Sequence, residues 1–171
     1  MRALFILFLS SFAYGQGIPN EWLGSYGGTM EIYNQKGLQQ TIGVNFDLNI
    51  MDRHNYWAYN MSYVDLKNND VVSTKSYKIL YNEDSKTLWM DEGDGLLIEM
   101  SFLGNCLYDH FELSGMFFNS SLCQQEKNLL FEITGGQSAP TYTSPLIEEA
   151  EGAVQTMRID FLQRVLLKPK L

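Results

Sequence analysis

Residues Thr41–Ile50 read TIGVNFDLNI, and this stretch decides the fold class of the chain. Its apolar side chains recur at every second position, from Ile42 to Ile50, and the residues between them are polar or small. Successive side chains of a β-strand point to opposite faces, whereas a helix repeats its apolar face with a longer period. The stretch therefore predicts a strand with one buried face and one solvated face.

The same alternation recurs along much of the chain. It is clear over Tyr56–Tyr63 and Leu96–Leu103, where aromatic, Met and Ile side chains share one face. The segments between strands, such as Asn34–Gly37 and Asp91–Gly95, are short and contain Asn, Asp and Gly, which favour turns. Further strands are predicted over Tyr26–Tyr33, Val72–Tyr81, Lys86–Met90, Leu107–Leu113, Met116–Asn119, Leu129–Thr134 and Gln155–Val165.

These strands predict an all-β protein, an antiparallel up-and-down meander that closes into a barrel of about eight to ten strands. Short links join neighbouring antiparallel strands, and so many strands would leave two exposed edges in an open sheet. An eight-strand barrel, a ten-strand barrel and a two-sheet sandwich all fit the pattern. The one long connection, residues 135–152, is predicted to be either a lid or a solvated crossover.

The beginning of the chain carries the pattern of an export signal. Arg2 precedes an apolar run over residues 3–9, and Ala13 and Gly15 are the small residues expected before a cleavage site. We expect residues 1–15 to be a signal peptide and residues 16–171 to form a single barrel domain. The apolar run is too short to span a bilayer, so we expect a secreted or periplasmic protein without a stable membrane anchor.

Cys106 and Cys123 are the only cysteines of the chain. In an oxidising compartment an isolated pair of this kind usually forms a disulfide, and we predict one here. No metal site is predicted, because the cysteines and the two histidines lack the spacing of zinc ligands.

The charge of the chain excludes one class of partner. Its net charge is −8, and no cluster of Lys and Arg reverses this locally. An acidic surface repels the phosphates of nucleic acids and of anionic membranes. We therefore expect neither as a partner, and the sequence predicts no oligomeric state.

The segment Trp22–Gly27 opens the first predicted strand, and Arg158 and Arg164 lie on the last one. With the meander between them, these residues resemble the lipocalin-like (calycin) β-barrel families. In those families a Trp at the start of the first strand packs beneath an Arg of the last strand and closes one end of the barrel. The resemblance implies that Trp22 and Arg164 have these roles, and that the interior binds a small hydrophobic ligand.

The sequence contains no recognisable catalytic motif, so no catalytic residue is predicted. The most polar strand segment is Tyr108–Glu112, in which Asp109 and His110 point to opposite faces and cannot form a catalytic dyad. Either face could be the inner one. An inward His110 would anchor a ligand or coordinate a haem, and no other cofactor is indicated.

We therefore expect an exported, lipocalin-like protein that binds a small hydrophobic ligand, and the lack of a motif favours binding over catalysis. The alternative is a secreted, non-enzymatic barrel that is filled by its own side chains and acts through its surface. The volume of the interior distinguishes the two. The predicted ligand-binding residues are Trp57, Tyr59, Met61, Ile98, Met100, Phe102 and His110.

Overall fold

A computed structural model describes residues 17–144 and 152–170 of the chain. The predicted signal peptide and residues 145–151 of the long connection lie outside the described residues. A short 3-10 helix, Asn20–Trp22, precedes the strands. The strands are β1 (Gly24–Asn34), β2 (Gly37–Ile50), β3 (Tyr56–Val64), β4 (Val71–Asn82), β5 (Thr87–Gly93), β6 (Leu96–Leu103), β7 (Cys106–Leu113), β8 (Met116–Gln125), β9 (Asn128–Gln137), β10 (Tyr142–Thr143), β11 (Gln155–Thr156) and β12 (Phe161–Pro169).

The strands form an antiparallel meander that closes into a barrel of ten strands. Strands β1 to β9 follow one another around the barrel, and β12 pairs with both β9 and β1. The short strands β10 and β11 pair with each other as a separate sheet in the connection between β9 and β12. The predicted all-β barrel is confirmed, at the upper end of the expected number of strands.

The last predicted strand, Gln155–Val165, is wrong in its bounds. The structure divides it into β11 and β12, with Met157 and Ile159 exposed on the link between them. These apolar residues continue the alternation of β12 in the sequence, so the pattern did not reveal the break. At the link, the Asp160 amide donates a hydrogen bond to the Gly135 carbonyl at 2.8 Å, which starts the pairing of β12 with β9.

Trp22 closes one end of the barrel. Its side chain is fully buried, its ring centroid lies 5.4 Å from that of Phe102, and its Nε1 donates a hydrogen bond to Gln124 Oε1 at 3.1 Å. Because Trp22 lies two residues before the start of β1, it is at the end of the barrel where the odd-numbered strands β1 to β9 begin. We call this the closed end.

Arg164 does not have the role that the resemblance implied. Val165 and Leu167 point into the barrel, so the alternation of β12 places Arg164 on the outer face. There its Nη1 lies 3.7 Å from Glu132 Oε1 on the neighbouring strand β9. The first and last strands are neighbours as expected, but Gln124 and Phe102, rather than Arg164, hold Trp22.

The predicted disulfide is confirmed. Cys106 and Cys123 lie directly opposite each other on β7 and β8, with Cα atoms 4.0 Å apart. This bond indicates an oxidising, non-cytoplasmic compartment. Within residues 17–144 and 152–170, no helix has the length and apolar character needed to cross a membrane.

Replacing Trp22 with Ala is expected to lower the free energy of unfolding by about 3–5 kcal/mol, the usual cost of removing a buried aromatic side chain. Trp89→Ala is the control, because Trp89 lies between the inward residues Leu88 and Met90 and is only half-buried on the outer face. Urea unfolding measures both. A loss below about 1 kcal/mol for Trp22→Ala would contradict the closing role of this side chain.

The disulfide predicts that denatured, unreduced protein contains no free thiol. Thiol titration should detect reactive groups only after reduction, when both Cys106 and Cys123 become available. Two reactive thiols before reduction would show that the bond does not form in the native protein.

Candidate functional site

A cavity of about 130 Å³ lies inside the barrel, towards the end opposite Trp22. Strand direction establishes its position, because Tyr63 and Glu92 lie near the last residues of β3 and β5, which both begin at the closed end. We call this the open end. The cavity is lined by Tyr59, Met61, Tyr63, Lys75, Tyr77, Met90, Glu92, Ile98, Asp109, Phe111, Ser120, Phe131, Ile133 and Gln163.

Three of the residues predicted to bind a ligand line this cavity. Tyr59 and Met61 project from β3 and Ile98 from β6, and all three side chains are buried. Their position follows from the period of two along each strand, which the sequence already displayed.

Three other predicted residues lie elsewhere in the core. Trp57, Met100 and Phe102 are absent from the cavity wall, and Phe102 packs against Trp22 at the closed end. The segment before β1 covers Trp57, since a Cβ added to Gly17 would lie 2.7 Å from its ring. Aromatic side chains therefore pack around Trp22 at the closed end.

His110 lies on the outer face of β7, so the structure corrects its place among the cavity residues. Its side chain is exposed, and its Nδ1 lies 2.6 Å from Asn119 Oδ1 on β8. The alternation of β7 explains this position, because Leu107 and Phe111 face the interior. An outward His110 does not reach the cavity, so it cannot anchor a ligand there.

The same alternation brings Asp109 into the cavity wall. Asp109 is 8% exposed and is the one polar or charged residue that is buried in the described part of the chain. Ser120 Oγ donates a hydrogen bond to Asp109 Oδ2, whereas Oδ1 is buried and has no hydrogen-bond partner among the described residues. An unpaired polar atom of this kind is rare in a folded protein and calls for an explanation.

Burial also controls the ionisation of Asp109. Removal from water raises the pKa of this carboxyl group above its usual value, although the hydrogen bonds with Ser120 and the nearby His110 oppose the shift. In the sequence, Asp109 could have been recognised as the single acidic residue on the otherwise apolar face of β7 that contains Leu107 and Phe111. The sequence alone did not distinguish the inner from the outer face of this strand, so Asp109 was not predicted as a cavity residue.

Tyrosine side chains form much of the remaining polar surface of the cavity. The rings of Tyr59 and Tyr77 are stacked, with centroids 6.3 Å apart. Burial and the negative charge of Asp109 raise the pKa of Tyr59 strongly, and burial together with Glu92 raises the pKa of Tyr77 to about 12. Both phenols are therefore neutral at physiological pH and can donate or accept hydrogen bonds.

Lys75 and Glu92 complete the charged groups of the cavity wall. Neither residue, nor Asp109, belongs to an ion pair among the described residues, whose pairs lie on the outer surface. The described residues also contain no group of three or more His, Cys, Asp and Glu side chains that could hold a metal ion. The cavity thus combines aromatic and thioether surface with one buried carboxylate.

Three other concavities, of about 140, 360 and 380 Å³, lie outside this site. Their walls include exposed residues, such as Gln35 in the smallest, Glu99 in the second and Tyr108 in the largest. The concavity of about 360 Å³ also includes Met100 and Phe102, two of the predicted ligand-binding residues. None of the three contains a buried charged group. The cavity at the open end is therefore the best candidate for a ligand site.

No protein-family model matches this chain, and no curated protein sequence shows significant similarity to it. Among solved structures, it is similar to the crystal structure of Rv2717c from M. tuberculosis, with a TM-score of 0.53 and 7% sequence identity. The match covers 89% of this chain and 94% of that chain. At this level of identity the similarity shows a shared barrel-like fold and carries no statement about function.

The free energy of unfolding of the Asp109→Asn variant is expected to rise relative to that of the wild type as the pH rises from about 4 to about 8. Burial raises the folded-state pKa of Asp109 above its unfolded value, so the wild-type free energy of unfolding falls as the pH rises through the interval between them. Asn removes this titration and leaves the other charged side chains around the cavity in place. Urea unfolding across this range measures the free energy of unfolding of both proteins. A difference between variant and wild type that stays constant or falls as the pH rises would contradict the expectation.

Proposed function

We propose that this protein binds a small, largely apolar ligand in the cavity at the open end of the barrel. The observation that carries the proposal is the contrast between the two ends. Aromatic side chains pack around Trp22 at the closed end, whereas about 130 Å³ remain free among the inward side chains around Asp109 at the open end. Concave, mostly apolar sites with a few convergent polar groups are typical of small-molecule binding.

The cavity volume limits the size of the ligand. An engineered apolar cavity of about 150 Å³ is large enough to bind benzene. This cavity is of similar size, so it can enclose a group of about six to eight non-hydrogen atoms. A longer molecule would extend from the open end into solvent.

The energetic cost of empty space supports a binding role. Enclosed cavities left by removed side chains cost about 24 cal/mol per Å³, and the part of this space that is shielded from water carries a cost of the same kind. A larger side chain at Ile98 or Met61 would fill the space and avoid that cost. A bound ligand would supply the missing contacts instead.

Export belongs to the same proposal. Residues 1–15 would direct the chain out of the cytoplasm, and the protein would act as a secreted or periplasmic, lipocalin-like binding protein. The disulfide between Cys106 and Cys123 supports a site of action in an oxidising compartment.

The methionines provide a direct test of the site. In protein labelled with ¹³C at the methionine methyl groups, added toluene should shift the NMR signals of Met61 and Met90, which line the cavity. Met30 is the internal control, because it is fully buried and lies outside the cavity wall. The shifts should saturate at one toluene per protein. No shift at Met61 and Met90 would favour the filled barrel that acts through its surface.

Ile98→Phe is expected to abolish toluene binding, because the added ring occupies the cavity. The change should leave the free energy of unfolding within about 1 kcal/mol of the wild type, since free space accommodates the larger side chain. Leu107→Phe is the matched control at a fully buried position outside the cavity wall. It should cost about 1–3 kcal/mol through overpacking and leave binding intact. Toluene binding that survives in Ile98→Phe would place the ligand elsewhere.

A further inference from the structure

The strongest unexplained feature of the cavity is the free carboxylate oxygen of Asp109. We infer that the ligand carries a protonated amine that binds Asp109 Oδ1, while its apolar part lies among the tyrosines and methionines of the cavity. This inference rests on the proposed function and specifies the chemical class of the ligand. It depends on three observations: the unpaired oxygen, the aromatic wall and the lack of an ion pair between Asp109 and any Lys or Arg among the described residues.

The unpaired oxygen calls for a donor. Ser120 satisfies only one oxygen of the carboxylate, and Oδ1 is buried without a hydrogen bond among the described residues. A buried charge is costly unless it is both paired and hydrogen-bonded. An alkylammonium group supplies a positive charge and three N–H donors, and hydrogen bonds between charged groups are the stronger kind.

The aromatic wall favours the same ligand. Tyr59, Tyr63 and Tyr77 line the cavity together with Asp109. The face of an aromatic ring attracts a cation within about 6 Å of its centroid, and the attraction is larger where water is excluded. The remaining wall, formed by side chains such as Met61, Met90 and Phe131, suits the hydrocarbon part of an amine.

Other occupants fit less well. An anionic ligand would face the carboxylates of Asp109 and Glu92, and a metal ion would find no cluster of three or more suitable ligands among the described residues. Lys75 is the cation of the cavity wall, but its side chain is exposed and forms no ion pair with Asp109 in the structure. The net charge of −8 also favours the approach of a cation.

Three ligands of nearly the same shape test the inference. Toluene, benzyl alcohol and benzylamine are titrated into wild-type protein at neutral pH, and the Met61 and Met90 methyl signals report binding. Benzylamine is protonated under these conditions and is expected to bind at least about tenfold more tightly than benzyl alcohol. Equal or weaker binding of benzylamine would overturn the inference, while binding of toluene would still support the proposed cavity. No binding of any of the three would overturn both.

Asp109→Asn assigns the effect to the carboxylate. Asn retains the shape and can still accept the hydrogen bond from Ser120, so toluene binding should change by less than about twofold. Benzylamine binding should weaken at least about tenfold. Glu99→Gln is the matched control, because it removes one negative charge from the exposed, outward side of β6 and should leave both affinities unchanged. An unchanged affinity of Asp109→Asn for benzylamine would overturn the inference.

A second variant tests the contribution of the aromatic wall and does not depend on the folding of Asp109→Asn. Tyr77→Leu removes an aromatic ring from the cavity wall and leaves Asp109 in place. It should weaken benzylamine binding more than toluene binding, because only the amine gains from the attraction between a cation and the ring. An equal loss for the two ligands would contradict the aromatic part of the inference.

Discussion

Closure of the sheet between its first and last strands is the constraint on which the structure depends. Strand β12 completes the barrel by pairing with β1 on one side and with β9 on the other, which removes both exposed edges. The two backbones approach closely at Gly28, where an added Cβ would lie 2.5 Å from the Leu166 carbonyl oxygen. Once the barrel is closed, each of its ten strands has one face inside, and alternation assigns the side chains to the core or to solvent.

The closed barrel does not use its interior uniformly. At the closed end, the indole of Trp22 lies against Phe102 and has its polar atom satisfied by Gln124, so this half forms a conventional packed core. At the open end, a carboxylate takes the place of one apolar side chain and leaves an oxygen unsatisfied. Side chains are thus packed closely around Trp22, whereas the open half retains free space and an unpaired oxygen, as binding sites commonly do.

Local pattern in the sequence was sufficient for most of the fold. Alternation over Thr41–Ile50 and its counterparts predicted the strands, the antiparallel order and the closed barrel, and the isolated cysteines predicted the disulfide. Pattern was not sufficient for contacts made at long range. The partners of Trp22 depend on where Gln124 lies, 102 positions later in the chain. The inner face of β7 was undecided because Asp109 and His110 are both polar, and only its packing against neighbouring strands identifies Asp109 as the inward residue.

The disulfide has a consequence for the accuracy of pairing between β7 and β8. Slippage of a strand by a single residue moves its whole set of inward side chains to the outside. In β7 such a slip would move Asp109 to the outer face and place His110 inside the barrel. The interior would then contain an imidazole instead of a carboxylate. Cys106 is bonded to the residue directly opposite it, three positions before Asp109 pairs with Ser120. The covalent bond therefore prevents the shifted pairing of β7 with β8. It keeps Asp109, rather than His110, on the inner face of the barrel.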